Sequence, residues 1–307
     1  MKFSAALRAV APLIADRQFR RPEGHGPRVE AELDLFLESV AVLDYQTDFY
    51  PGAEVSLVTN DSRKVVPGAV FVAVKGALAD GRSFIPAAVQ AGAAVIFTRD
   101  YVDAPAEGVL YLIVKDDYLA YAKLCEAFYD FPACKLSSFA VTGTNGKTTT
   151  AMTIRHLLNR AGKPCGLIST VEYDTVNSVE TADRTTPEAG RLFALLAAMR
   201  DAGAAAFAME ASSHALAQNR LGGLAFQAAI FTNLTGDHLD YHHTMEEYFA
   251  AKRRLFEQHL APDGIAVIHC DDPYGAELCK LLPAERVVSF GENAGVWRLM
   301  VEATNAS

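Results

Sequence analysis

The sequence predicts an α/β protein of two units: a small N-terminal α/β unit, then a P-loop-type, mostly parallel sheet flanked by helices. Three observations support this prediction. Short apolar runs alternate with segments of helical spacing from about residue 55 onward. The loop TGTNGKTTT stands between an apolar run and a helical segment in the middle of the chain. The length of 307 residues exceeds what a single hydrophobic core usually supports.

The first unit is predicted over residues 1–134. Apolar residues recur at helical spacing from Phe3 to Ile14, which predicts a short amphipathic helix. Strands are predicted at 55–58, 69–74, 94–98 and 110–114, and helices at 84–91 and 116–129. Asp116 is the expected N-cap of the second of these helices. The segment FPAC, at 131–134, is the predicted exit from this unit.

The second unit is predicted over residues 135–307. It begins with a strand, SSFAVTG, which leads through the glycine-rich loop into a helix that ends at Gly162. Further strands are predicted at 165–169, 204–209, 227–232, 265–269 and 286–290, and helices at about 187–201, 212–219, 244–260 and 273–281. Because parallel sheets bind ligands at the carboxyl ends of their strands, the functional residues are expected there.

Composition and net charge indicate which kinds of molecule the protein is expected to bind. The net charge is −9 and the pI is about 5.4, so there is no basic surface to neutralise a nucleic-acid backbone. No apolar run approaches the length of a membrane span. The five cysteines form no C-x-x-C pair, which is typical of reduced thiols in a cytosolic protein. We therefore expect a cytoplasmic monomer that acts on small molecules and contacts neither nucleic acid nor membrane.

The glycine-rich loop predicts a phosphate site. The usual pattern G-x-x-x-x-G-K-[ST] would place a glycine where Val141 stands, so this loop is a shortened variant. A lysine and a threonine still follow its second glycine, the lysine to neutralise phosphate and the threonine to bind Mg²⁺. The alternative is a glycine-rich turn with a solvated lysine. The candidate ATP-binding residues are Gly143, Thr144, Asn145, Gly146, Lys147, Thr148 and Thr149.

Two further motifs follow strands of the second unit. Glu210, in AMEASSHALAQNR, either binds a second Mg²⁺ or is an acid at a helix N-terminus, stabilised by the helix dipole. In DHLDYHH the histidine spacing lacks the H-E-x-x-H pattern of a zinc site. His238 is the candidate Mg²⁺ ligand there, although Mg²⁺ prefers oxygen. His242 and His243 are interpreted as polar loop residues.

Lys252 is the least expected residue of the second unit. The helix that contains it begins with a capping box from Thr244 to Glu247. Its apolar stripe includes Tyr248 and Phe256, and Lys252 falls on the same stripe, which predicts that the lysine is buried. A buried ammonium is costly unless it is paired or chemically altered. The alternative is an ordinary solvated lysine.

Together these residues resemble the Mur ligase family, in the branch that adds the third peptide residue of peptidoglycan. The resemblance spans roughly residues 55 to 290. It depends on NDSRKVVPGAVFVAVKGALADGRSF, similar to the family's uridine-nucleotide domain, and on the shortened loop TGTNGKTTT. The segments MEASSHALAQNR and FTNLTGDHLDYHHTMEEYFAAK are similar to signatures of that branch.

The resemblance implies a role for each matching residue. The UDP moiety would be contacted by Asn60, Ser62, Ala77, Leu78 and Ala79. The muramoyl-dipeptide would be held by Thr185, Thr186, Ser212, Gln218 and Arg220. Magnesium would be bound by Thr148, Glu210, His238 and Lys252, the last as a carbamate (N6-carboxylysine). The catalytic residues would be Lys147, Lys252, Glu210 and His238.

The activity implied is that of an ATP- and Mg²⁺-dependent ligase. It would join a diamino acid, meso-diaminopimelate rather than lysine, to the D-Glu γ-carboxylate of UDP-MurNAc-L-Ala-D-Glu through an acyl phosphate. Family members have three domains, and by this resemblance the chain would stop within the central one. The alternative is therefore a truncated homologue that binds UDP-sugar or ATP without turnover. A folate-type polyglutamate ligase would leave NDSR and SSHALAQNR unexplained.

Overall fold

Two sheets of mostly parallel strands organise the chain, one in each of two units. The structure, a computed structural model, describes residues 2–19, 54–76 and 79–298. The chain divides at Phe131 into the units Met1–Phe131 and Pro132–Ser307. Helices pack against both sheets, so the predicted α/β class is confirmed. None of the helices in the described part of the chain combines the length and apolar character needed to cross a bilayer.

The first unit contains a sheet whose described strands follow the order β1-β5-β4-β3-β2. Its elements are α1 (Phe3–Val10), β1 (Ile14–Phe19), β2 (Val58–Thr59), β3 (Ala69–Val72), α2 (Ile85–Gln90), β4 (Ala93–Thr98), β5 (Leu110–Val114) and α3 (Asp117–Phe128). Strands β2 to β5 are parallel, and β1 is antiparallel to β5. The predicted N-cap of α3 is confirmed, because the Asp116 carboxylate accepts a hydrogen bond of 2.9 Å from the Leu119 N–H.

The N-terminal helix is shorter than its apolar spacing predicts. Helix α1 ends at Val10, and a 3₁₀ turn that contains Pro12 follows it. Proline has no backbone N–H and disfavours the continuation of an α-helix, which explains the early end. Ile14, predicted to lie on the helix, instead begins β1 and pairs with Val114. The apolar residues Leu7 and Val10 are nevertheless buried, as the amphipathic pattern predicts.

The second unit contains a larger sheet, with its described strands in the order β14-β13-β12-β11-β6-β10-β7-β8-β9. Its strands are β6 (Ser137–Thr142), β7 (Cys165–Ile168), β8 (Glu172–Asp174), β9 (Val179–Thr181), β10 (Ala206–Glu210), β11 (Phe226–Phe231), β12 (Leu260–His269), β13 (Val287–Gly291) and β14 (Trp297–Arg298). Its helices are α4 (Lys147–Arg160), α5 (Ala189–Asp201), α6 (Ser213–Ala217), α7 (Leu239–His242), α8 (Met245–Gln258) and α9 (Pro273–Leu281). Strands β14 to β7 are parallel, whereas β7, β8 and β9 pair antiparallel.

Strands β8, β9 and β14 and helix α7 were not predicted from the sequence. All three residues of β9, Val179–Thr181, are exposed, and β8 carries Glu172 and Asp174 on either side of Tyr173. Such short, polar strands lack the apolar runs by which the other strands are recognised. Arg155 of α4 stabilises the hairpin, with hydrogen bonds of 2.8 Å to the carboxylates of Glu172 and Asp174.

The order of the central strands determines where the site lies. Strand β6 runs between β10 and β11, with Glu210 paired to Val141 and Phe231 paired to Thr142. The carboxyl ends of these three strands therefore meet at one edge of the sheet. The segments that follow them contain the glycine-rich loop, AMEASSHALAQNR and FTNLTGDH, which the fold brings to the same edge.

Candidate functional site

The glycine-rich loop joins the end of β6 to the start of α4 and requires both of its glycines. Gly143 has φ +144°, and a Cβ added there would lie 1.9 Å from Thr232 Oγ1. Gly146 has φ +84° and is the N-cap of α4. L-residues with side chains rarely adopt such angles, so glycine is needed at both positions. Gly162, with φ +73°, follows the end of the same helix, at the position where the sequence predicts its C-cap.

The segment after β11 holds the loop in place. The N–H groups of Thr144 and Asn145 donate to Asn233 O and Oδ1, each at 2.9 Å. Asn233 Nδ2 and Thr232 Oγ1 in turn donate to Asn145 O, at 3.2 and 2.6 Å. Thr232 and Asn233 are missing from the residues proposed from the sequence, although both lie in the FTNLTGDH motif. Since Asn233 occupies two loop N–H groups, an anion would be bound mainly by the first-turn N–H groups of α4.

Lys147 folds back over the loop. Its Nζ donates to the carbonyl oxygens of Gly143 at 3.0 Å and Thr144 at 2.9 Å. Burial lowers the pKa of the ammonium, while the carboxylates of Glu210 and Asp237 oppose that shift. The Lys147 ammonium thus donates to two carbonyl oxygens of the loop. The oxygens of a bound phosphate would replace these acceptors and form stronger, charge-assisted hydrogen bonds with the lysine.

Glu210 ends β10 and is 1% exposed. Its Oε1 accepts hydrogen bonds from Thr148 Oγ1 at 2.8 Å and from the Thr170 N–H at 2.9 Å. Its Oε2 lies 3.3 Å from Thr170 Oγ1. A buried carboxylate next to a hydroxyl is an oxygen donor pair of the kind that Mg²⁺ prefers, so Thr148 and Glu210 fit that cation. Thr170 was not proposed from the sequence, because nothing local marks it as a partner of Glu210.

His238 lies in a different group of side chains. Its Nε2 is 3.6 Å from Asp237 Oδ2, and its ring packs 4.9 Å from His214 and 6.3 Å from Tyr248, centroid to centroid. No hydrogen bond joins it to Glu210 or Thr148 in the described residues. Nor does that part of the chain contain a cluster of three or more His, Cys, Asp or Glu side chains suited to a metal ion. The structure therefore pairs Thr148 with Glu210 by a hydrogen bond, whereas the described contacts of His238 are with Asp237, His214 and Tyr248.

His242 is not the polar loop residue that the sequence suggested. It closes α7, is 5% exposed and packs 5.2 Å from the Tyr248 ring. Burial lowers the pKa of its imidazole to about 4, and the charges of His214 and Lys252 contribute to the shift. The next residue, His243, is exposed, as expected of a loop residue. The physical reason for the correction is α7, a single helical turn that directs His242 inward.

Lys252 is buried, as its position on the apolar stripe of α8 predicts. It is 1% exposed, its Nζ donates to Gly143 O at 2.8 Å, and that Nζ lies 4.5 Å from the centre of the Tyr248 ring. Burial lowers the pKa of this ammonium well below its usual range, and the positive charge of Lys147 lowers it further. The N-cap of α8 is also as predicted, since Thr244 Oγ1 accepts a 3.1 Å hydrogen bond from the Glu247 N–H.

The residues proposed to hold the dipeptide form a connected group beside Glu210. Thr186 Oγ1 donates to Glu210 O at 2.8 Å and accepts from the Ser212 N–H at 3.0 Å. Arg220 donates to Thr186 O at 3.0 Å and to Gln218 Oε1 at 2.6 and 2.9 Å. Arg220 also forms an ion pair of 2.9 Å with Glu188. Thr185 Oγ1 lies 3.0 Å from Thr170 Oγ1, which extends the group to the residues around Glu210.

The residues proposed to contact UDP belong to the first unit. Asn60 and Ser62 flank Asp61, whose carboxylate accepts from the Arg63 N–H at 3.1 Å. The Ala79 carbonyl accepts a 2.9 Å hydrogen bond from the Gly76 N–H. Ala77 and Leu78 lie outside the described residues. A cavity of about 640 Å³ in this unit is lined by other residues, among them Arg82, Ile85, Val89, Tyr101 and Tyr111.

Two family descriptions match the chain. Residues 141–307 match the Mur ligase middle domain, and residues 54–129 match the Mur ligase family catalytic domain. The first match alone covers more than half of the 307 residues.

Relatives match along most of the chain. A protein of Chlorobaculum tepidum named UDP-N-acetylmuramoyl-L-alanyl-D-glutamate--2,6-diaminopimelate ligase is 47% identical over 246 residues, which are 80% of this chain and 48% of the relative. A protein of Geobacter sulfurreducens with the same name is 42% identical over 236 residues, 75% of this chain and 46% of the relative. The chain thus spans about half the length of the curated relatives it matches.

Solved structures agree with the fold. A structure of a UDP-N-acetylmuramoyl-L-alanyl-D-glutamate--2,6-diaminopimelate ligase superposes with a TM-score of 0.67 at 28% identity, over 83% of this chain and 52% of that one. MurF from Acinetobacter baumannii superposes with a TM-score of 0.55 at 24% identity, over 79% of this chain and 49% of that one, and shares the fold. The domain matches, the relatives and the superpositions all point the same way: this chain belongs to the Mur ligase family.

Proposed function

We propose that this chain binds ATP, Mg²⁺ and UDP-MurNAc-L-Ala-D-Glu for an amide ligase of peptidoglycan synthesis. The ligase joins a diamino acid to the γ-carboxylate of the D-Glu residue. The names of the relatives, which are 40–47% identical, favour 2,6-diaminopimelate over lysine as that diamino acid. We further propose that the protein acts as a cytoplasmic monomer on small molecules, with cell-wall growth, cell shape and cell division depending on its product.

One observation carries the proposal: Glu210 connects two groups of side chains. Its carboxylate accepts a hydrogen bond from Thr148 of the glycine-rich loop, and its backbone carbonyl accepts one from Thr186. Thr186 in turn accepts from Arg220, a buried cation suited to bind a carboxylate. A nucleotide phosphate and a substrate carboxylate would therefore be bound next to each other, one on each side of Glu210, as carboxylate activation by ATP requires.

The reaction we propose has two steps. An oxygen of the D-Glu γ-carboxylate attacks the γ-phosphorus of ATP, so that an acyl phosphate forms and ADP leaves. The amine of the diamino acid then attacks the acyl carbon and releases inorganic phosphate, which leaves an amide. Magnesium, when bound, neutralises phosphate charge. Lys147 would stabilise the charge that develops on the transferred phosphoryl group, and Thr148 and Glu210 would orient the nucleotide.

Lys252 has a separate proposed role. Its amine donates to Gly143 O of the loop, and both burial and the charge of Lys147 disfavour the ammonium form. Addition of CO₂ to the neutral amine, with loss of a proton, would give a carbamate, whose oxygens suit a magnesium ion. We propose this modification because burial disfavours the ammonium and thereby favours the neutral amine that reacts with CO₂.

We propose that the two units bind different parts of the substrates. Residues 1–134 would form the UDP-MurNAc-binding domain, with Asn60, Ser62 and Ala77, Leu78 and Ala79 at the uridine nucleotide. Residues 135–307 would form the ATP-binding part of the central domain, with His238 close to the phosphates in the ligand-bound state. The match of 54–129 and 141–307 to two separate domain descriptions supports this division.

Calorimetry on the chain tests the proposal with two titrants. We expect UDP-MurNAc-L-Ala-D-Glu and Mg²⁺·ATP each to bind with one-to-one stoichiometry. ATP binding without UDP-sugar binding would contradict the substrate assignment and leave only a nucleotide-binding protein. Formation of the amide-linked tripeptide product, with release of inorganic phosphate, on addition of 2,6-diaminopimelate to the ternary complex then separates a ligase from a homologue that only binds.

A further inference from the structure

Thr170 lies between two groups that the proposed function assigns to different ligands. Its Oγ1 is 3.3 Å from Glu210 Oε2, at the proposed cation, and 3.0 Å from Thr185 Oγ1, at the proposed dipeptide. Its backbone N–H donates to Glu210 Oε1 at 2.9 Å, which holds the residue in place. Thr170 lies two residues after the end of β7 and is exposed, so ligands can reach this contact.

The hydroxyl of Thr170 has one hydrogen and two neighbours that can accept it. An ionised carboxylate accepts only, so a hydrogen bond to Glu210 Oε2 must use the Thr170 hydrogen. Thr170 is also the donor in its contact with Thr185 Oγ1, so the two acceptors compete for a single hydrogen. While Thr170 donates to Oε2, Oε2 has one lone pair occupied and Thr185 Oγ1 lacks this donor.

The other arrangement reverses both conditions. If Thr170 donates to Thr185 Oγ1, the Glu210 Oε2 atom loses its hydrogen bond and has lone pairs free for a cation. Thr185 Oγ1 then accepts the Thr170 hydrogen, which orients the Thr185 hydroxyl so that its own hydrogen can be donated to an oxygen of the second ligand. Glu210 Oε1 already accepts from Thr148 and from the Thr170 N–H, so Oε2 is the oxygen with fewer protein donors. Binding at either end therefore favours the arrangement that suits the other end.

We infer that Thr170 is a positioning residue that couples cation binding at Glu210 to UDP-MurNAc-dipeptide binding at Thr185, each ligand strengthening the other. This inference rests on the proposed function, because it takes its two ligands from there. Coupling between binding sites is reciprocal, so Mg²⁺ raises the affinity for the UDP-sugar by the factor with which the UDP-sugar raises that for Mg²⁺. A single hydrogen bond corresponds to about a two- to tenfold effect.

The experiment measures the dissociation constant of UDP-MurNAc-L-Ala-D-Glu by calorimetry on the whole chain. A non-hydrolysable ATP analogue is present throughout, once with Mg²⁺ and once with EDTA. We expect Mg²⁺ to tighten UDP-sugar binding by about two- to tenfold in the wild type. Thr170→Val keeps the shape and the backbone N–H but removes the hydroxyl, so the two constants should become equal. Thr170→Ser, which retains a hydroxyl, should preserve the coupling.

Two further variants complete the design. Thr185→Val removes the other end of the hydrogen-bonded chain and should also abolish the effect of Mg²⁺. Thr153→Val is the matched control, because the Thr153 hydroxyl donates to Thr149 O within α4, and it should leave the coupling unchanged. Wild-type coupling in Thr170→Val, or none in the wild type, would overturn this inference alone. A wild type that does not bind the UDP-sugar in either buffer would overturn the proposed function, and the inference with it.

Discussion

Lys252 donates a hydrogen bond of 2.8 Å to the carbonyl oxygen of Gly143, so α8 is tied directly to the first glycine of the phosphate loop. Lys147 donates to the same oxygen at 3.0 Å. Two lysines from separate helices thus share one acceptor, and the buried one has its pKa lowered by burial and by the charge of the other. This arrangement makes both lysines, and the loop between them, suitable for direct tests.

If Lys252 is carbamylated, the modification can be observed without turnover. In ¹³C-bicarbonate the chain should show one protein carbamate resonance by NMR, because burial favours the neutral amine that reacts with CO₂. Lys252→Ala should lack that resonance, whereas Lys280→Ala, which removes an exposed lysine of α9, should retain it. A wild type without a carbamate signal would show that Lys252 is an ordinary buried amine.

Acetate should partly replace the carbamate of Lys252. In Lys252→Ala the lost side chain leaves a cavity, and a small carboxylate that enters it restores a negative charge. We expect the affinity for a Mg²⁺·ATP analogue to fall in this variant and to recover in part with added acetate, as measured by calorimetry. Lys252→Arg should not respond, since a guanidinium keeps the positive charge and fills the space. An equal response to chloride would indicate a salt effect instead.

Lys147→Ala should weaken nucleotide binding selectively. The ammonium is proposed to bind phosphate oxygens through charge-assisted hydrogen bonds, whose loss corresponds to about a 10- to 100-fold weaker affinity for ATP. Binding of the UDP-sugar should change little, because its proposed contacts lie elsewhere. Lys163→Ala, an exposed lysine just after the same helix, is the control. A parallel loss of both affinities would mean that Lys147 is structural.

Glu210→Gln tests the proposed cation site. The amide has nearly the same shape as the carboxylate but lacks its charge, and its NH₂ group cannot accept hydrogen bonds. We expect the ATP analogue to bind this variant with similar affinity in EDTA, while the gain in affinity produced by Mg²⁺ is largely lost. Retention of the full Mg²⁺ effect would place the cation away from Glu210. Thermal unfolding is measured in parallel, since the carboxylate has buried donors in Thr148 and Thr170.

Gly143→Ala should disrupt the phosphate loop more than a substitution with backbone strain alone. The new Cβ would lie 1.9 Å from Thr232 Oγ1, in addition to the strain of φ +144°. Gly162→Ala is the matched control, because its φ of +73° is also strained but no atom lies within 4 Å of the added Cβ. We expect the control to lose about 1–2 kcal/mol of stability and to keep ATP binding. Gly143→Ala should lose ATP binding, and equal effects would refute the steric argument.

The sequence by itself determined the fold class and most of the elements. Apolar runs mark buried strands such as Leu110–Val114, and polar caps such as Asp116 and Thr244 mark helix starts, because both signals are local. The burial of Lys252 could also be predicted, since helical periodicity alone puts that residue on the inner face of α8. The N-terminal helix shows the limit of the periodic signal. The apolar spacing predicts a helix as far as Ile14, but α1 ends at Val10 because Pro12 disfavours its continuation.

Only the tertiary structure decided which side chains meet. Thr170 and Glu210 are forty residues apart, and they touch because β7 and β10 are neighbouring parallel strands that end at one edge of the sheet. For the same reason Asn233 holds Asn145, although the sequence gives no sign of that pairing. His238 follows the same strand end, yet its ring packs against His214, and no hydrogen bond joins it to Glu210 in the described residues. Local patterns determine secondary structure, whereas strand order determines the contacts of a site assembled from several loops.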